Sequence, residues 1–536
     1  MKREFKIFLT FFLIYLFFIQ WYGWNEESQF SLTKAISDEG RFEIDSFYNR
    51  TGDRALYNNH YYSDKDPGLS FLSVPIYSSW KFIYSLFPQE QKQNNQYVEV
   101  LINNVTIYSP KDPGFFTFNS MILVTILTSC IFSALTVVLI YKISKSFSKN
   151  EKHRLLLTIT YGLGTLAFPI SLNFMGHATA TFFSFLSFYL LFKVKHGKNH
   201  DVNLFVLSGL FAGIGIITED IVALIAFFLF TYSYTIDRKK TAFFVLGLFI
   251  GLLPLLFYNF SIFNTPFDLT RAYIDRSIYI SAYPYENVTA SSEKILKNAI
   301  FPSDEIGRIL RHFHFVTSPP NLYVILRLLI DPFRGILFYC PVLFLSFIGM
   351  FYMHKEYRTE SLLILCIFIS FLIVLSMRTS WWGGYGFGNR YLFSVIPFLV
   401  IPIIYAFKKA NFKLILILVL ISIFVNFLGL QNPEDYISDI HTMAMKKEYL
   451  EKLNTLEPFP NPLQSYYLPL FLKYGPRSRI FESISNGQYS IDIRVFPLSK
   501  ESNFPFDDFY IPFLCLVPLL IICLLIWKSD LIWPKK

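Results

Sequence analysis

Long apolar runs recur along nearly the whole 536-residue chain, and they constrain its fold more than any motif does. A helix needs about 17 to 25 predominantly apolar residues to span a bilayer. Only 16% of the residues are charged and 53% are hydrophobic, whereas soluble proteins average about 25% charged residues. The sequence therefore predicts an all-α polytopic membrane protein. About twelve spans are expected, at 7–24, 117–141, 155–172, 177–192, 203–217, 221–236, 241–261, 335–353, 361–377, 391–407, 412–430 and 511–527.

Clusters of lysine and arginine occupy every second loop between these runs, for example around Lys145, Lys195 and Lys239. Cytoplasmic loops of membrane proteins carry such an excess of positive charge. The pattern predicts a multi-pass protein of the cell membrane with both termini in the cytoplasm. The long polar segments then lie outside, at 25–116, 262–334 and 431–510. The net charge of +9 follows from this topology, so it gives no support to nucleic-acid binding.

The expected organisation has three parts: a transmembrane module at 1–430, a small outer element of mixed strand and turn character at 431–510, and a last helix with a cytoplasmic tail at 511–536. The first run has a basic start but is too long for the core of a signal peptide. It also lacks a small-residue cleavage site, so we interpret it as a retained signal anchor.

The first outer segment is too long for a simple connector. It predicts a short surface helix from Ser31 to Gly40 and an interfacial helix from Leu69 to Phe87, lying along the membrane. A Lys-Asp-Pro-Gly turn occurs at 65–68 and again at 111–114, each time before an apolar segment. Asp at the N-cap with Pro in the first helical position is a common helix start. Both turns are therefore expected to begin helices.

Two groups of polar residues in this segment are candidates for chemistry. Glu26 and Glu27 follow an aromatic stretch at 21–24 that is typical of a membrane interface, so we expect them at the height of lipid phosphates. Lysine is a good ligand for phosphate, and tyrosine rings stack on sugars. A solvated loop lysine is the alternative interpretation of this second group. The group comprises His60, Tyr61, Tyr62, Asp64 and Lys65.

Further ionisable residues stand at the predicted outer ends of spans. His177 opens one run, Glu219 precedes Asp220 in a tight turn, and Arg378 and Arg390 bracket a glycine-rich segment that contains Trp381 and Trp382. Charges near a membrane are costly and suggest function. The alternatives are a helix cap for His177 and a polar hairpin tip for the Glu219 turn. The glycine-rich segment lacks the Gly-Lys-Ser/Thr ending of a nucleotide-binding loop, so its glycines are expected either to let the backbone approach a ligand closely or to shape a re-entrant turn.

Taken in order, these segments resemble the GT-C superfamily of integral-membrane glycosyltransferases, near the prokaryotic protein O-mannosyltransferase and lipid A aminoarabinose transferase branch. The resemblance extends over almost the whole chain. It is carried by Ser63-Asp64-Lys65-Asp66-Pro67-Gly68, Gly176-His177-Ala178, Thr218-Glu219, Tyr258-Asn259, Asn264-Thr265-Pro266-Phe267, Pro332-Phe333-Arg334-Gly335-Ile336-Leu337, Trp381-Trp382-Gly383-Gly384, Phe387-Gly388-Asn389-Arg390-Tyr391 and Asn461-Pro462-Leu463.

The resemblance implies a polyprenyl-phosphate sugar as donor and an acceptor glycan, lipid or protein on the outer face, with inversion at the anomeric carbon. It implies Glu26 as the base, with Glu27 as the near competitor, and Lys65, Arg390 and Arg378 as ligands of the donor phosphate. The remaining candidates would contact sugar or acceptor: His60, Tyr61, Tyr62, Asp64, His177, Glu219, Trp381 and Trp382. The familiar members carry an Asp-rich first motif that this chain lacks, which leaves the need for a divalent cation open. Any bound metal is expected at Glu26, Glu27 and His177.

Two other functions are compatible with the sequence. A transporter or flippase of lipid-linked sugars would carry charges along a path through the bilayer and show repeated halves with broken helices. The charges singled out above lie at outer ends instead, and no internal repeat is evident. A ligase that moves a whole lipid-linked glycan would use much the same residues as a single-sugar transferase.

Overall fold

The computed structural model describes residues 2–20, 23–86, 97–102, 105–110, 114–197, 201–275, 319–378, 381–384, 386–430, 461–474, 478 and 516–532. Helices dominate this part of the chain. The strands within it form two antiparallel hairpins, which are Arg54–Tyr57 with His60–Ser63 and Tyr97–Ile102 with Val105–Pro110. Most of the outer element expected at 431–510 and the second Lys-Asp-Pro-Gly turn lie outside the described residues.

The helices are listed here in chain order, because their bounds place the residues of the site. They are Arg3–Phe17, Trp24–Lys34, Gly68–Ser85, Gly114–Thr125, Ile131–Phe147, Glu151–Leu163, Ala167–Ile170, Gly176–His196, Val202–Thr218, Ala223–Ile236, Thr241–Phe263, Leu322–Ile330, Ile336–Tyr339, Phe344–Glu356, Arg358–Ser376, Ile396–Lys409, Phe412–Leu428, Leu468–Tyr474 and Leu516–Ile532. A π-helical turn at Ile126–Cys130 joins the fourth and fifth into one continuous helix.

Five helical stretches of the described chain are long and apolar enough to cross a membrane. They are Phe116–Phe147, Gly176–His196, Thr241–Phe263, Arg358–Ser376 and Arg390–Lys409. Shorter apolar helices accompany them at Val202–Thr218, Asp220–Ile236, Phe412–Leu428 and Leu519–Lys528. The prediction of an all-helical membrane protein is confirmed. The number of twelve spans and the three-part division of the chain stay predictions.

The start of the chain departs from the expected single span at 7–24. The first helix ends at Phe17, and a second helix begins at Trp24, where Glu26 Oε2 accepts the Gly23 N–H at 3.0 Å. This second helix continues as a π-helical turn and ends at Gly40, whose φ of 67° is left-handed. The end expected at Gly40 is therefore correct. The start expected at Ser31 is wrong, because the helix begins at Trp24 and residues 25–33 are buried, whereas Asp38, Glu39 and Gly40 at its end are exposed, as expected of a surface helix.

The helix expected at Leu69 to Phe87 is present at Gly68–Ser85. It packs along the Trp24–Lys34 helix, where Ser70 Oγ donates to the Gln29 carbonyl oxygen at 2.8 Å and the rings of Phe30 and Tyr77 meet edge to face. This packing buries one side of the helix and carries the turn at 64–67 with it. Its orientation relative to the lipid stays a prediction.

Several basic loops expected on the cytoplasmic side meet at one end of the bundle. Lys145 pairs with Glu4, Lys408 Nζ donates to the Phe147 carbonyl oxygen at 2.8 Å, and the Tyr357 hydroxyl donates to the Ser146 carbonyl oxygen. The predicted alternation of loops requires such a common end. The side of the membrane that this end faces stays a prediction.

Candidate active site

Three carboxylates from two distant turns form the centre of the candidate site. Asp66, Glu219 and Asp220 each place a carboxylate oxygen within 4.8 Å of the other two. The Asp220 N–H donates to Asp66 Oδ2 at 2.9 Å, which ties the turn before the Gly68–Ser85 helix to the turn after Thr218. A Cβ on Gly68 would lie 2.6 Å from the Ile217 carbonyl oxygen, so this close approach requires glycine. We call these three residues the carboxylate cluster.

Asp66 does not cap the helix that follows it. The N-cap position is Pro67, which has no side chain able to accept a hydrogen bond, and the Asp66 carboxylate points instead to Asp220 and Arg271. The expectation that this aspartate only begins a helix is therefore wrong. The sequence does not reveal this contact, because an Asp-Pro pair before an apolar segment usually only begins a helix.

Arg271 holds the carboxylate cluster together. Its Nη2 lies 2.7 Å from Asp66 Oδ2, its Nη1 lies 2.8 Å from Asp220 Oδ2, and its Nε donates to the Asp64 carbonyl oxygen at 3.3 Å. Burial lowers the pKa of Arg271, but Asp220 and Asp66 outweigh that effect and the net pKa is raised well above its usual range. Sequence reasoning missed this arginine, because it lies in a long loop with no motif around it.

His177 and Glu219 form the second contact of the cluster. His177 Nδ1 lies 3.2 Å from Glu219 Oε1, and both side chains are nearly buried. The histidine begins the Gly176–His196 helix, and a Cβ on Gly176 would lie 2.5 Å from the Thr218 carbonyl oxygen. Burial raises the pKa of Glu219 to about 8, and the nearby Asp66 adds to this. Burial likewise raises the pKa of Asp66 to about 7.

Lys65 lies next to this cluster, in a pocket of acids. Its Nζ is 2.8 Å from Asp53 Oδ2 and 3.1 Å from Asp64 Oδ1, and its side chain is 18% exposed. The interpretation as a solvated loop lysine is therefore wrong. Burial lowers the pKa of Lys65, but the attraction of Asp53 and Asp64 together is the larger effect. The net pKa is raised above its usual range, so the ammonium is charged. Burial raises the pKa of Asp64, while Lys65 acts in the opposite direction.

Glu26 and Glu27 are buried at the start of the second helix. The two carboxylates differ in their contacts, since Glu26 Oε2 caps the helix at Gly23 and Glu27 Oε2 lies 3.5 Å from Arg50 Nε. Ser28, the next residue, lies 2.8 Å from Ser63 through its hydroxyl oxygen. This contact brings the helix start beside the Asp64 turn. Neither glutamate belongs to the carboxylate cluster. Within the described chain, the acids close enough together to hold a metal ion are those of the cluster, and not the expected set of Glu26, Glu27 and His177.

Arg378 and Arg390 meet on the ring of Tyr391. Their guanidinium carbons lie 4.6 Å and 5.8 Å from its centroid, and the His177 ring lies 6.3 Å from it, edge to face. Tyr391 therefore connects Arg378 and Arg390 to His177, which contacts Glu219 of the cluster. Arg390 also lies within electrostatic reach of Lys65.

The glycine-rich segment is held in place by a buried arginine. Arg334 donates to the carbonyl oxygens of Trp382 and Gly384, each at 3.1 Å, and is 1% exposed. Gly383 and Gly384 have φ values of 83° and 71°, which favour glycine. A Cβ on Gly384 would lie 3.3 Å from Arg390 Nη2, so this glycine lets the backbone approach that arginine.

The aromatic candidates occupy two other places. Trp381 and Trp382 are buried with their rings 6.0 Å apart, edge to face. Of the hairpin residues, His60 pairs with Asp45 at 2.7 Å, Tyr61 stacks on Tyr48, and the Tyr62 hydroxyl lies 3.4 Å from Glu43 Oε1. These hairpin contacts are made with residues 43–48 and not with the carboxylate cluster, so a sugar-binding role for the hairpin stays a prediction.

Comparison with known proteins gave matches among solved structures. No protein-family model matches the chain, and no curated protein matches it. The apo oligosaccharyltransferase of Archaeoglobus fulgidus is 13% identical over 86% of this chain and 60% of its own, with a TM-score of 0.48. The AglB oligosaccharyltransferase of that organism, in complex with an inhibitory peptide and a dolichol-phosphate, is 13% identical over 85% of this chain and 60% of its own, with a TM-score of 0.47.

A third similar structure is ArnT from Cupriavidus metallidurans bound to undecaprenyl phosphate. It is 13% identical over 90% of this chain and 78% of its own, with a TM-score of 0.44. The chain thus spans 60% of the length of the two oligosaccharyltransferase structures.

Proposed function

We propose that the site transfers a sugar from a polyprenyl-phosphate donor to an acceptor at the outer face of the membrane, with inversion. The observation that carries this proposal is the contact of Arg271 with the carboxylate cluster, with Lys65 and Arg390 within electrostatic reach of its acids. Cations and acids in contact are what a reaction needs when a phosphate leaves and an acceptor loses a proton.

The cations would stabilise the negative charge that develops on the leaving phosphate. Lysine and arginine both bind phosphate oxygens, lysine as a point charge and arginine through a planar fork. Lys65 and Arg390 are far apart in the sequence, so only folding brings them within electrostatic reach of each other. Arg378 shares the Tyr391 ring with Arg390 and would support its position.

The contacts favour Glu27 over Glu26 as the acceptor base. Glu26 uses one carboxylate oxygen, Oε2, for the helix cap at Gly23, whereas neither carboxylate oxygen of the buried Glu27 accepts a hydrogen bond within the described chain. Its ionic partner is Arg50, whose Nε lies 3.5 Å from Glu27 Oε2. A single displacement with this base would invert the anomeric carbon.

A binding experiment tests the donor site without knowledge of the sugar. The full chain in lipid nanodiscs would be titrated with polyprenyl monophosphate and followed by native mass spectrometry. We expect Lys65→Ala and Arg390→Ala to weaken binding by about tenfold or more each, because loss of a charge-assisted contact costs about 1.5–3 kcal/mol. Lys81→Ala is the matched control, since Lys81 pairs with Asp38 in the same outer segment but is half exposed.

Unchanged binding in both Lys65→Ala and Arg390→Ala, with the protein folded, would remove the phosphate role. A separate assay tests the reaction itself: the transfer of labelled sugar by the wild type would be measured with polyprenyl-phosphate sugars extracted from membranes. Transfer without release of polyprenyl phosphate would point to a different donor.

A further inference from the structure

The carboxylate cluster has the composition of a divalent-cation site. Carboxylate oxygens are the ligands that Mg²⁺ and Mn²⁺ prefer, and three acids from two turns would suit an octahedral ion. Every one of these acids already has a basic partner, however. Arg271 contacts Asp66 and Asp220, and His177 contacts Glu219.

We infer that Arg271 is the built-in cation of this cluster and takes the place of a divalent ion. The two ion pairs occupy Asp66 Oδ2 and Asp220 Oδ2, one carboxylate oxygen of each aspartate in the cluster. Asp66 Oδ2 also accepts the Asp220 N–H, so this oxygen already has two donors. A metal at about 2.0–2.6 Å from these oxygens would have to displace the guanidinium.

The shape of arginine suits this position. All three of its nitrogens are used, because Nη1 and Nη2 bind one aspartate each and Nε donates to the Asp64 carbonyl oxygen. The planar fork thereby joins three segments: the first outer loop, the turn at 219–220 and the Thr270–Tyr273 helix that carries Arg271. A metal would join the first two segments only, and would leave the third without its contact.

This position gives Arg271 a task in the proposed reaction. Its role as a fixed positive charge in the transfer reaction rests on the proposed function, whereas the occupancy of the cluster by arginine does not. The transfer reaction is then independent of added metal. Arg271 acts here as a positioning residue, since it holds Asp66 and the backbone of Asp64 next to the lysine.

Binding of Mn²⁺ alone tests the inference. The full-length protein in nanodiscs would be titrated with Mn²⁺ and followed by electron paramagnetic resonance. We expect the wild type to show no saturable site and Arg271→Ala to bind a single Mn²⁺ at least about tenfold more tightly than the weakest binding that the titration detects, which corresponds to about 1.4 kcal/mol. Adding Asp220→Asn to Arg271→Ala should abolish that binding. Arg41→Ala is the matched control, because Arg41 pairs with Glu39 on the exposed surface of the first outer loop.

Two outcomes would overturn the inference. A saturable Mn²⁺ site in the wild type that Asp220→Asn removes would mean that Arg271 yields to a metal. A folded Arg271→Ala protein without Mn²⁺ binding would mean that the cluster does not hold a cation. If Arg271→Ala fails to fold, thermal unfolding of the wild type with Mn²⁺ or with a chelator decides instead. An unchanged midpoint is expected, and a rise with Mn²⁺ contradicts the inference. None of these readouts requires sugar transfer, so they stand apart from the test of the proposed function.

Discussion

Glu26 and Glu27 are neighbours in the sequence, but the structure gives their carboxylates different partners. We expect Glu27→Gln to lower sugar transfer by about 10²–10⁴-fold while polyprenyl-phosphate binding is kept, because a general base contributes about that much. Glu26→Gln should retain most activity, since the amide oxygen can still accept the Gly23 N–H. Transfer rates and phosphate binding would be measured on both variants. Full transfer in Glu27→Gln would exclude it as the base.

The two buried acids of the cluster predict a pH dependence of stability. Their folded pKa values, about 7 for Asp66 and about 8 for Glu219, lie above the ordinary 3.8 and 4.5. The folded state thus holds these protons more tightly, so the stabilisation is complete below about pH 4 and is lost as the pH rises through 7 to 8. The unfolding midpoint should therefore fall as the pH rises from about 4 to about 8.

Glu219→Gln should flatten this fall, because the amide stands for the protonated acid at every pH. The expected difference is on the order of 1 kcal/mol between pH 6 and 8. Thermal unfolding in nanodiscs would measure it. Glu39→Gln, at an exposed carboxylate that pairs with Arg41, serves as the control and should leave the slope unchanged. A Glu219→Gln slope equal to that of the wild type would contradict the assignment.

At single residues, the sequence was informative where a charge stood beside a span. That pattern indicates His177, Glu219 and Arg390, whereas Lys65 stands out through the tyrosines and acids near it in the sequence. The structure places these four residues in or beside one cluster. Arg271 could not be found in this way, because its partners are about 50 and 205 positions away and only folding brings them together.

At the scale of elements, the closest contacts between helices depend on glycines. The Val202–Thr218 and Thr241–Phe263 helices approach closely through glycines, and a Cβ on Gly209 would lie 1.9 Å from the Phe244 carbonyl oxygen. Small residues at such contacts let membrane helices pack backbone to backbone. The Val202–Thr218 helix ends directly before Glu219, so this contact also helps to fix the position of the carboxylate cluster.

We therefore expect Gly209→Ala to destabilise the protein by about 1–3 kcal/mol, as an added methyl group does in a packed core. Gly215→Ala on the same helix is the matched control, because a Cβ there would meet its nearest atom at an ordinary 3.5 Å. Unfolding in mixed detergent would compare the two. Equal stability of both variants would show that the helices can separate at little cost.

Element bounds were predicted best where apolar runs are uninterrupted. The helix Thr241–Phe263 matches its expected span closely, whereas the first run was extended wrongly through the aromatic stretch into Trp24. Composition alone could not mark that break, since aromatic residues suit both the end of a span and the start of a buried helix. The cap by Glu26 is a tertiary detail of one side chain.

For the whole molecule, the charged residues sort to two ends of the bundle. At the end away from the carboxylate cluster, Glu360 Oε1 lies 3.0 Å from Lys195 Nζ and 2.8 Å from His196 Nε2, and accepts the Tyr232 hydroxyl. These residues close the opposite end of helices that begin or end at the cluster. Sequence reasoning predicted this sorting from alternating loop charge, but the assignment of outside and inside depends on the membrane itself.

Labelling of introduced cysteines settles which end is outside. The side chain of His60 is 53% exposed on the hairpin of the first predicted outer loop, and Lys355 is exposed in a predicted cytoplasmic loop. In a background without the native cysteines, we expect a membrane-impermeant maleimide to label His60→Cys in intact cells. Lys355→Cys should react only after the cells are permeabilised. The reverse pattern would put the carboxylate cluster on the cytoplasmic side, and a donor presented on the outer face could then not reach Lys65.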